Sequence, residues 1–362
     1  MNVVDKAKQA IDSRGLARID APVLLMASGG SDSTAMAYIV SELQADDVVQ
    51  GPVAMLHVNH KLRGDDADAD AVFVEKLALE LGITFVSVEI DVASIAEAEH
   101  GNIEAIARRE RYAAAHEALS DLCLRAGVPT SSGRIFAAHT ADDRIENFYM
   151  RSIVGTGPGG FRSMMYLNGQ VARPLLDCGR EELRDYIVGR IERELPVVRD
   201  EHEMCWREDA TNEHTDRFRA FVRHEIVPLA KERNPQLIET LTRSMNLIGD
   251  EDDMLESIAE GIVNDQVIWL EPVEEGCVIS PLFSAQRLPM KRRVVVRVLE
   301  QMLGPDSRVE TVSVDAVLAA YRGGRPVSGY VANIQGNLAV SANKNGVRIE
   351  PMASFRTRRK RD

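Results

Sequence analysis

The chain has 362 residues and a formal net charge of −13, with 45% hydrophobic and 27% charged residues. At roughly 150 residues per domain this length predicts two or three domains and excludes a small peptide-binding module. The apolar runs are far shorter than the ~20 residues of a membrane span, and residues 1–18 lack the apolar core of a signal peptide. We therefore expect a globular, cytoplasmic protein with no membrane partner.

The distribution of charge and cysteine narrows the function classes further. Residues 244–286 contain ten acidic residues and no Lys or Arg, so the rest of the chain carries a net charge of only −3. A basic, nucleic-acid-binding face elsewhere is therefore compatible with the acidic total. The cysteines are widely spaced and form no Cys-x-x-Cys pair, which disfavours zinc, iron–sulfur and disulfide frameworks.

The first 150 residues alternate strand and helix patterns. Strands are predicted at 22–27, 53–58, 84–90 and 134–138, and helices at 33–44, 66–81, 102–126 and 141–153. This alternation is typical of βαβ units and predicts an α/β fold, a parallel sheet with helices on both faces.

The remainder of the chain changes character. Helices are predicted at 181–193, 217–247, 251–263, 291–302 and 312–321, and short strands at 327–334, 337–342 and 347–350. We divide the chain into an N-terminal domain (1–215), a helical linker region (216–265), a small α/β C-terminal domain (266–355) and a basic tail (356–362), the last expected to be disordered.

The strongest local motif follows the first predicted strand. The chain there reads Ser28, Gly29, Gly30, Ser31, Asp32 and Ser33, at the start of a predicted helix. Two glycines permit a tight turn whose backbone N–H groups converge on an anion at a helix N-terminus. The lysine of a Walker-type loop is absent, and the Asp32 carboxylate would repel phosphate unless a cation such as Mg²⁺ lay between them. A ligand-free, capped Gly/Ser turn is the alternative.

A second motif, His139, Asp143 and Glu146, places three functional side chains near one face of a predicted helix start. Acidic residues in a first turn often only complement the helix dipole. The strand at 134–138, however, would end at the same sheet edge as the Gly/Ser loop, where open parallel sheets bind ligands. This juxtaposition favours a functional site.

The complete Ser-Gly-Gly-x-Asp-Ser string resembles the PP-loop of the N-type ATP pyrophosphatases. Later segments, in consistent order over roughly residues 20–230, resemble the tRNA(Ile)-lysidine synthase family: His57 to Arg63, Asn102-x-Glu104-x3-Arg108-x2-Arg111-Tyr112, Ala138-His139-x2-Asp142-Asp143-x2-Glu146, the loop at 155–160, Arg173-Pro174-Leu175-Leu176, and Asp209-Ala210-Thr211-Asn212. The chain departs at Asn147, Phe161 and Ala220, where that family commonly has Thr, Leu and Asn. These departures affect the expected tRNA and lysine contacts.

The resemblance implies a two-step ligation on cytidine 34 of tRNA(Ile) with a CAU anticodon. O2 of the base attacks the α-phosphate of ATP, releasing pyrophosphate, and the ε-amine of free L-lysine then displaces AMP at C2. ATP is the co-substrate, Mg²⁺ the cofactor, and the C-terminal domain is expected to bind tRNA. The further domain of longer family members is expected to be absent.

The same resemblance assigns roles to residues. The catalytic candidates are Asp32, Arg111, His139, Asp143 and Glu146, with Asp32 also the expected Mg²⁺ ligand. The substrate-binding candidates are His60, Arg63, Asp142, Arg173 and Arg207. Which carboxylate or histidine acts as general base stays open, as does the oligomeric state, a homodimer included.

Several simpler or rival interpretations remain at this point. Five arginines suit phosphate or RNA contacts, yet each could equally be a solvated helix charge: Arg173, Arg207, Arg217, Arg219 and Arg223. A PP-loop tRNA thiolase would need paired or well-placed cysteines, and the four cysteines of this chain offer no such pair. A glutamine-hydrolysing amide synthetase would need a domain with a nucleophilic cysteine, but residue 2 is Asn and no such domain is visible in the sequence. A non-catalytic, nucleotide-sensing RNA-binding protein would not need Asp32, Asp143 and Glu146.

Overall fold

The computed structural model describes residues 1–208, 217–272, 275–304 and 307–360. Its α-helices are α1 (Val3–Arg14), α2 (Ser31–Ala45), α3 (Asp65–Glu80), α4 (Val92–Glu99), α5 (Ile103–Ala126), α6 (Ala141–Val154), α7 (Arg180–Glu192), α8 (Arg217–Phe221), α9 (Val227–Arg233), α10 (Leu237–Gln266), α11 (Leu288–Leu303), α12 (Thr311–Ala319) and α13 (Met352–Arg359). Its strands are β1 (Val23–Met26), β2 (Val53–Asn59), β3 (Thr84–Glu89), β4 (Arg134–Phe136), β5 (Leu167–Asn168), β6 (Val171–Ala172), β7 (Val267–Trp269), β8 (Cys277–Ile279), β9 (Val331–Ile334), β10 (Leu338–Asn343) and β11 (Gly346–Pro351). The contacts divide the chain into two compact units, Met1–Gly249 and Asp250–Asp362.

The first unit is built on a six-stranded sheet of order β3-β2-β1-β4-β6-β5. All neighbouring pairs are parallel except β5 with β6, which is antiparallel at the edge. The chain leaves β1 towards β2 on one side, and β4 lies on the other. The carboxyl ends of β1 and β4 therefore flank the topological switch point, where open α/β sheets bind ligands.

Both faces of this sheet are covered, as the sequence predicted. Leu25 of β1 packs in the core with residues of α1, α2, α3 and α7. Its neighbour Leu24 faces the other way and packs with Ala115, Leu119 and Cys123 of α5. Because side chains alternate along a strand, a strand buried on both faces reads as a continuous apolar run. The predicted parallel sheet with helices on both faces is confirmed.

Helices α8 and α9 and the first part of α10 extend the first unit beyond its sheet. A π-helical turn, Val222–Ile226, joins α8 to α9. Ile145 of α6, Val222, Val227 and Met245 form a small apolar core that fastens this helical region to α6. The predicted helicity of 217–247 is therefore confirmed, with Pro228 in the first turn of α9 and Pro235 between α9 and α10. The Asp209-Ala210-Thr211-Asn212 motif lies outside the described residues.

The second unit contains an antiparallel five-stranded sheet of order β7-β8-β11-β10-β9. Val294, Val295, Val298 and Leu299 of α11 are buried in its core together with residues of α12 and the end of α10. Tyr321 lies against Phe283 at a ring separation of 5.3 Å. The predicted small C-terminal domain with both helices and strands is thus present.

Three predictions in this half of the chain need correction. The separate helix at 251–263 is part of the 30-residue α10, which continues almost without interruption from the preceding helical region. No element was predicted between residues 264 and 290, where the structure has two strands, β7 and β8, of only three residues each. The tail expected to be disordered is helical through Arg359 in α13, which is anchored by the buried ring of Phe355. Among the described residues, no helix combines the length and apolar character needed to cross a membrane.

Candidate active site

The Gly/Ser loop forms a compact turn between β1 and α2. Gly29 has a φ of +87°, which favours glycine, and its carbonyl accepts a 3.1 Å hydrogen bond from the Thr34 hydroxyl. The Ser33 hydroxyl donates to the Gly30 carbonyl at 3.0 Å. Gly30 is the N-cap of α2 but has no side chain to cap it, so first-turn N–H groups remain available. The loop therefore presents backbone donors at a helix N-terminus, an arrangement that binds anions.

The second motif lies at the start of α6, as predicted. Thr140 and Asp143 form a reciprocal capping box, in which the Asp143 carboxylate accepts the Thr140 N–H at 2.9 Å. Asp143 and Glu146 are both buried, with 8% and 2% of their surface exposed. Since two carboxylates are buried here, they require cationic or hydrogen-bonding partners.

Arginines supply those partners in an alternating series that we call the acid–arginine chain. Its members, in spatial order, are Asp32, Arg180, Asp143, Arg219, Glu146 and Arg223. Arg180 lies 3.1 Å from Asp32 and 3.2 Å from Asp143. Arg219 lies 2.9 Å from Asp143 and 2.8 Å from Glu146. Arg223 completes the chain 2.7 Å from Glu146, so three carboxylates are matched by three guanidinium groups.

The three carboxylates differ in their remaining capacity to accept hydrogen bonds. An ionised carboxylate offers about four lone-pair positions. Asp143 uses all of them, because Arg180 and Arg219 donate to Oδ1 while the N–H and hydroxyl of Thr140 donate to Oδ2.

Glu146 and Asp32 have capacity left over. Glu146 accepts three hydrogen bonds, one from Arg219 and two from Arg223, which leaves about one position on Oε1. Asp32 accepts one from Arg180 and one from the Ser31 hydroxyl, which leaves about two. Asp32 is therefore the carboxylate with the most room for a new ligand.

The electrostatics of Asp32 and Asp143 follow from burial and from Arg180. Burial raises the pKa of Asp32, Arg180 opposes the rise, and the Asp143 charge adds to it. Burial also acts to raise the pKa of Asp143, but Arg180 and the Thr140 N–H outweigh it, and its pKa lies below the usual value. Arg180 is thus the main neutralising charge for both carboxylates.

The residues present fit a Mg²⁺ ion of the kind the sequence suggested. Mg²⁺ is bound in proteins by one or two carboxylates, with phosphates and waters filling the other positions. Asp32 and Asp143 are the two carboxylates, and the Arg180 guanidinium already occupies a cation position between them. In the described part of the chain no group of three or more His, Cys, Asp or Glu side chains forms a metal site, so additional ligands would have to come from substrate or water.

A group of buried histidines and arginines lies near the acid–arginine chain, after the ends of β2 and β4. His60, Arg111, His139 and Arg173 each contain a buried ring or guanidinium nitrogen with no hydrogen-bond partner among the described atoms. Burial lowers the pKa of His139 to about 4 against the attraction of Asp143, and Arg173 lowers it further. Burial and the neighbouring Arg111 likewise lower the pKa of His60 to about 4. Both imidazoles are neutral at pH 7, and the unpartnered nitrogens mark a place that a polar ligand could occupy.

Arg63 and Arg207 converge on Asp70 of α3. Arg207 lies 2.9 Å from Asp70 and also pairs with Asp200 and Glu201, and Arg63 donates to the same Asp70 carboxylate. The Arg207 backbone N–H donates to the Gly29 carbonyl at 2.9 Å. Arg207 therefore supports the Gly/Ser loop directly, whereas Arg63 is joined to Arg207 through Asp70. Contact of either arginine with substrate remains a prediction.

Asp142 holds three helices together. One oxygen accepts the backbone N–H of Arg180 at 2.7 Å, at the start of α7. The other accepts Lys231 of α9 at 3.2 Å. This arrangement accounts for Asp142 without a substrate, and the substrate-binding role expected for it remains a prediction.

Sequence reasoning missed Arg180. It follows the recognised Arg173-Pro174-Leu175-Leu176 segment and is the first residue of α7. A cation at a helix N-terminus opposes the helix dipole, so such a residue signals a compensating partner. Arg219 and Arg223 were considered as phosphate or RNA contacts, whereas the structure pairs them with Glu146.

Comparison with known proteins agrees with this fold and loop. A family model described as the PP-loop domain matches residues 2–230, more than half of the chain. The chain belongs to the PP-loop domain family.

Curated relatives carry the name tRNA(Ile)-lysidine synthase. That of Thermus thermophilus is 34% identical over 290 residues, covering 80% of this chain and 50% of the relative. That of Geobacter sulfurreducens is 30% identical over 322 residues, covering 87% and 62%. The chain thus spans about half to three fifths of the length of these relatives.

Proposed function

We propose that this chain is a tRNA(Ile)-lysidine synthase, a ligase that forms a carbon–nitrogen bond between L-lysine and C2 of cytidine 34 in the CAU anticodon of tRNA(Ile). ATP is consumed to AMP and pyrophosphate. The single observation that carries the proposal is the acid–arginine chain, which connects the nucleotide-binding loop at Asp32 to the buried carboxylate of Glu146. A site of this kind can hold a phosphate group at one end and an amine at the other.

The first step is adenylation of the base. Cytidine O2 attacks the α-phosphorus of ATP, the bond to the bridging oxygen breaks, and pyrophosphate leaves. The free N–H groups at the start of α2 suit the negative charge on the departing pyrophosphate. A bound Mg²⁺ would supply further charge neutralisation, and Asp32 and Asp143 are the residues that would hold it.

The second step is displacement of AMP by lysine. The ε-amine attacks C2, the bond from C2 to O2 breaks, and O2 leaves as part of AMP. An amine with a reference pKa near 10.4 must first lose a proton. Asp143 accepts four hydrogen bonds, and the position held by Arg180 is the one that a metal ion would take over. Glu146, with its remaining position on Oε1, is therefore the carboxylate that supports an ammonium contact. The neutral imidazole of His139, with an unpartnered Nδ1, is a second proton acceptor.

The thiolase alternative is less well supported. A sulfur carrier needs an accessible thiolate, favoured by a low pKa. All four cysteines are buried and none forms a disulfide, and burial raises the pKa of Cys178 to about 12. Cys178 and Cys123 pack in the apolar cores on opposite faces of the sheet.

The test is mass spectrometry of nucleosides from a CAU-anticodon tRNA(Ile) incubated with the protein, ATP, Mg²⁺ and lysine. Lysidine should appear together with AMP and pyrophosphate. A tRNA(Ile) with a GAU anticodon, omission of lysine, and Asp32→Asn are the controls in which lysidine should be absent or strongly reduced. Failure of the native protein to form lysidine on the CAU tRNA would overturn the proposal, and formation of a thiolated base would favour the thiolase.

A further inference from the structure

Arg180 occupies an unusual position at the centre of the candidate site. Its Nε donates to Asp32 at 3.1 Å and its Nη2 donates to Asp143 at 3.2 Å. The two carboxylates come from different elements, α2 and α6, and their oxygens are bridged by this one guanidinium. The Arg180 guanidinium therefore occupies the position between Asp32 and Asp143 in which two carboxylates could hold a metal ion.

The backbone of Arg180 is fixed, whereas its side chain has room to move. The N–H is held by Asp142 at 2.7 Å, and the preceding Gly179 N–H is held by Glu182 at 2.8 Å. The side chain remains 25% exposed, and a long arginine side chain can change rotamer without moving the helix. A ligand could therefore displace the guanidinium while α7 stays in place.

The location of Arg180 in its own helix is locally unfavourable. As the first residue of α7 it places a positive charge at the positive end of the helix dipole. The Asp32 and Asp143 charges compensate for this and raise the pKa of Arg180 above its usual value despite burial. The Asp32 and Asp143 carboxylates thus hold the side chain.

We propose that Arg180 is a positioning residue that serves as an internal counter-cation: it holds Asp32 and Asp143 together before substrate binds, and it leaves this position when a divalent cation arrives with the nucleotide. The inference deepens the proposed function, since it rests on the nucleotide and metal end of the site, but it does not depend on lysine or tRNA. Binding of a metal without nucleotide is disfavoured in the native protein, because the ion must displace Arg180 with no phosphate to receive the guanidinium.

Removing the guanidinium should therefore tighten metal binding when no nucleotide is present. In Arg180→Gln the two carboxylates would face each other without a counter-charge, and a divalent cation would be attracted more strongly. We expect the dissociation constant for Mn²⁺ alone to fall by roughly tenfold or more, the change that corresponds to one pKa unit of differential interaction. A substitution that only damaged the structure would weaken metal binding, so the direction of the change separates the two explanations.

The experiment is a titration of the full chain with Mn²⁺, followed by electron paramagnetic resonance, without ATP, tRNA or lysine. Arg180→Gln is compared with Arg180→Lys, which keeps the charge and should bind Mn²⁺ more weakly than the Gln variant. The matched control is Arg193→Gln, the same change at an exposed arginine at the other end of α7, whose Nε donates to the Gly189 carbonyl. This control should leave the Mn²⁺ affinity unchanged. Circular dichroism melts verify that each variant is folded.

Each outcome decides between the possibilities. Tighter Mn²⁺ binding in Arg180→Gln alone supports the inference. Equal or weaker binding in folded Arg180→Gln, in a protein that binds Mn²⁺ together with ATP, overturns it while leaving the proposed function standing. No Mn²⁺ binding by any variant, with or without ATP, overturns both the inference and the metal end of the proposed site. If Arg180→Gln does not fold, Arg180→Met, which also removes the charge and keeps an unbranched side chain, takes its place: tighter Mn²⁺ binding supports the inference, and equal or weaker binding by the folded variant overturns it.

Discussion

Glu146 is the carboxylate of the candidate site that can still accept a hydrogen bond on the side of the helical region. It is also the most deeply buried of the three, with 2% of its surface exposed, and it is held by Arg219 and Arg223. A buried carboxylate with two arginines both stabilises the fold and provides a directed acceptor. Its two contributions can be separated by substitution, because glutamine keeps one acceptor oxygen but removes the charge.

Glu146→Gln should raise the KM for lysine strongly and leave tRNA-dependent pyrophosphate release largely intact. The loss of charge weakens an ammonium contact, whereas the nucleotide end of the site is built from other residues. Removing one partner of a buried ion pair also costs stability, of the order of 3–5 kcal/mol, so the assays belong at a temperature where the variant is folded. The control is Glu181→Gln, at an exposed glutamate in the first turn of α7. If pyrophosphate release fell in proportion to lysidine formation at saturating lysine, Glu146 would belong to the nucleotide site.

His60 makes the stability of the first unit sensitive to mild acid. Burial, aided by Arg111 and His57, lowers its pKa from 6.5 to about 4. Because the folded state resists protonation, the unfolded state takes up the proton first as the pH falls. The stabilising contribution is complete above pH 6.5 and is lost as the pH falls towards 4.

His60→Gln should therefore reduce the loss of stability between about pH 7.5 and about pH 5. Urea unfolding followed by the fluorescence of Trp206 measures this, in a background carrying Trp269→Phe so that the signal comes from the first unit. His100→Gln, at an exposed histidine that ends α4, should keep the native pH dependence. If His60→Gln kept the native pH dependence, His60 would not be a source of the loss of stability in acid.

The elements of the first unit were largely predictable, and their physical basis explains why. The strands β1 to β4 are short apolar runs separated by amphipathic helices, and α6 begins at Ala141 as predicted. The approach of the Gly/Ser loop to α6 followed from the parallel sheet, because parallel strands end at one edge. Local hydrophobic patterns predicted these strands and helices, and the rule that parallel strands end at one edge of a sheet predicted that the Gly/Ser loop lies close to α6.

The partners of the carboxylates were not predictable in the same way. Arg180 lies 148 residues from Asp32 in the chain, and Arg219 lies 76 residues from Asp143. No local pattern specifies such pairs, since a surface arginine and a buried one have the same sequence signature. The strands β7 and β8 were missed for a different reason, because three residues are too few for a period-two pattern to stand out.

Asp142 joins the starts of α6 and α7 to α9, and its removal should loosen that junction. Asp142→Ala leaves the Arg180 N–H at the start of α7 without its acceptor and Lys231 without its partner. We expect a loss of about 1–3 kcal/mol, measured as a lower midpoint of thermal unfolding, and a smaller loss in Asp142→Asn, whose amide oxygen can still accept. Asp121→Ala, at an exposed aspartate of α5, should have little effect. A native midpoint combined with weakened tRNA binding would instead support the substrate-binding role.

Much of the negative charge of the molecule lies in residues 244–286, and arginines of α11 neutralise part of it. In the second unit, Arg293 lies 2.8 Å from Asp252 and is also bonded to Glu256, while Arg297 pairs with Glu256 and Glu260. These arginines of α11 are therefore committed to the acidic face of α10. Arg287 and Arg292 are exposed and remain the better candidates for contact with an RNA backbone.

The double variant Arg287→Gln with Arg292→Gln should weaken tRNA binding and spare ATP binding. If both arginines contact phosphates, the slope of log affinity against log salt should fall by roughly 0.7 to 0.9 per lost contact. Filter binding at several salt concentrations measures the slope. Arg293→Gln is the matched comparison on the same helix, and it should mainly lower stability because it leaves Asp252 and Glu256 unpaired. Unaltered tRNA affinity in the double variant would place the RNA-binding surface elsewhere.

The alternation of three acids with three arginines has a consequence for how the site responds to mutation. Each interior member has two neighbours of opposite sign, so removing any one leaves an odd charge and weakens two contacts at once. Effects measured one residue at a time will therefore count shared contacts twice, and their sum will exceed the effect of removing neighbours together. A paired change such as Asp143→Asn with Arg219→Gln should be milder than the sum of its parts, which makes these side chains a single thermodynamic unit.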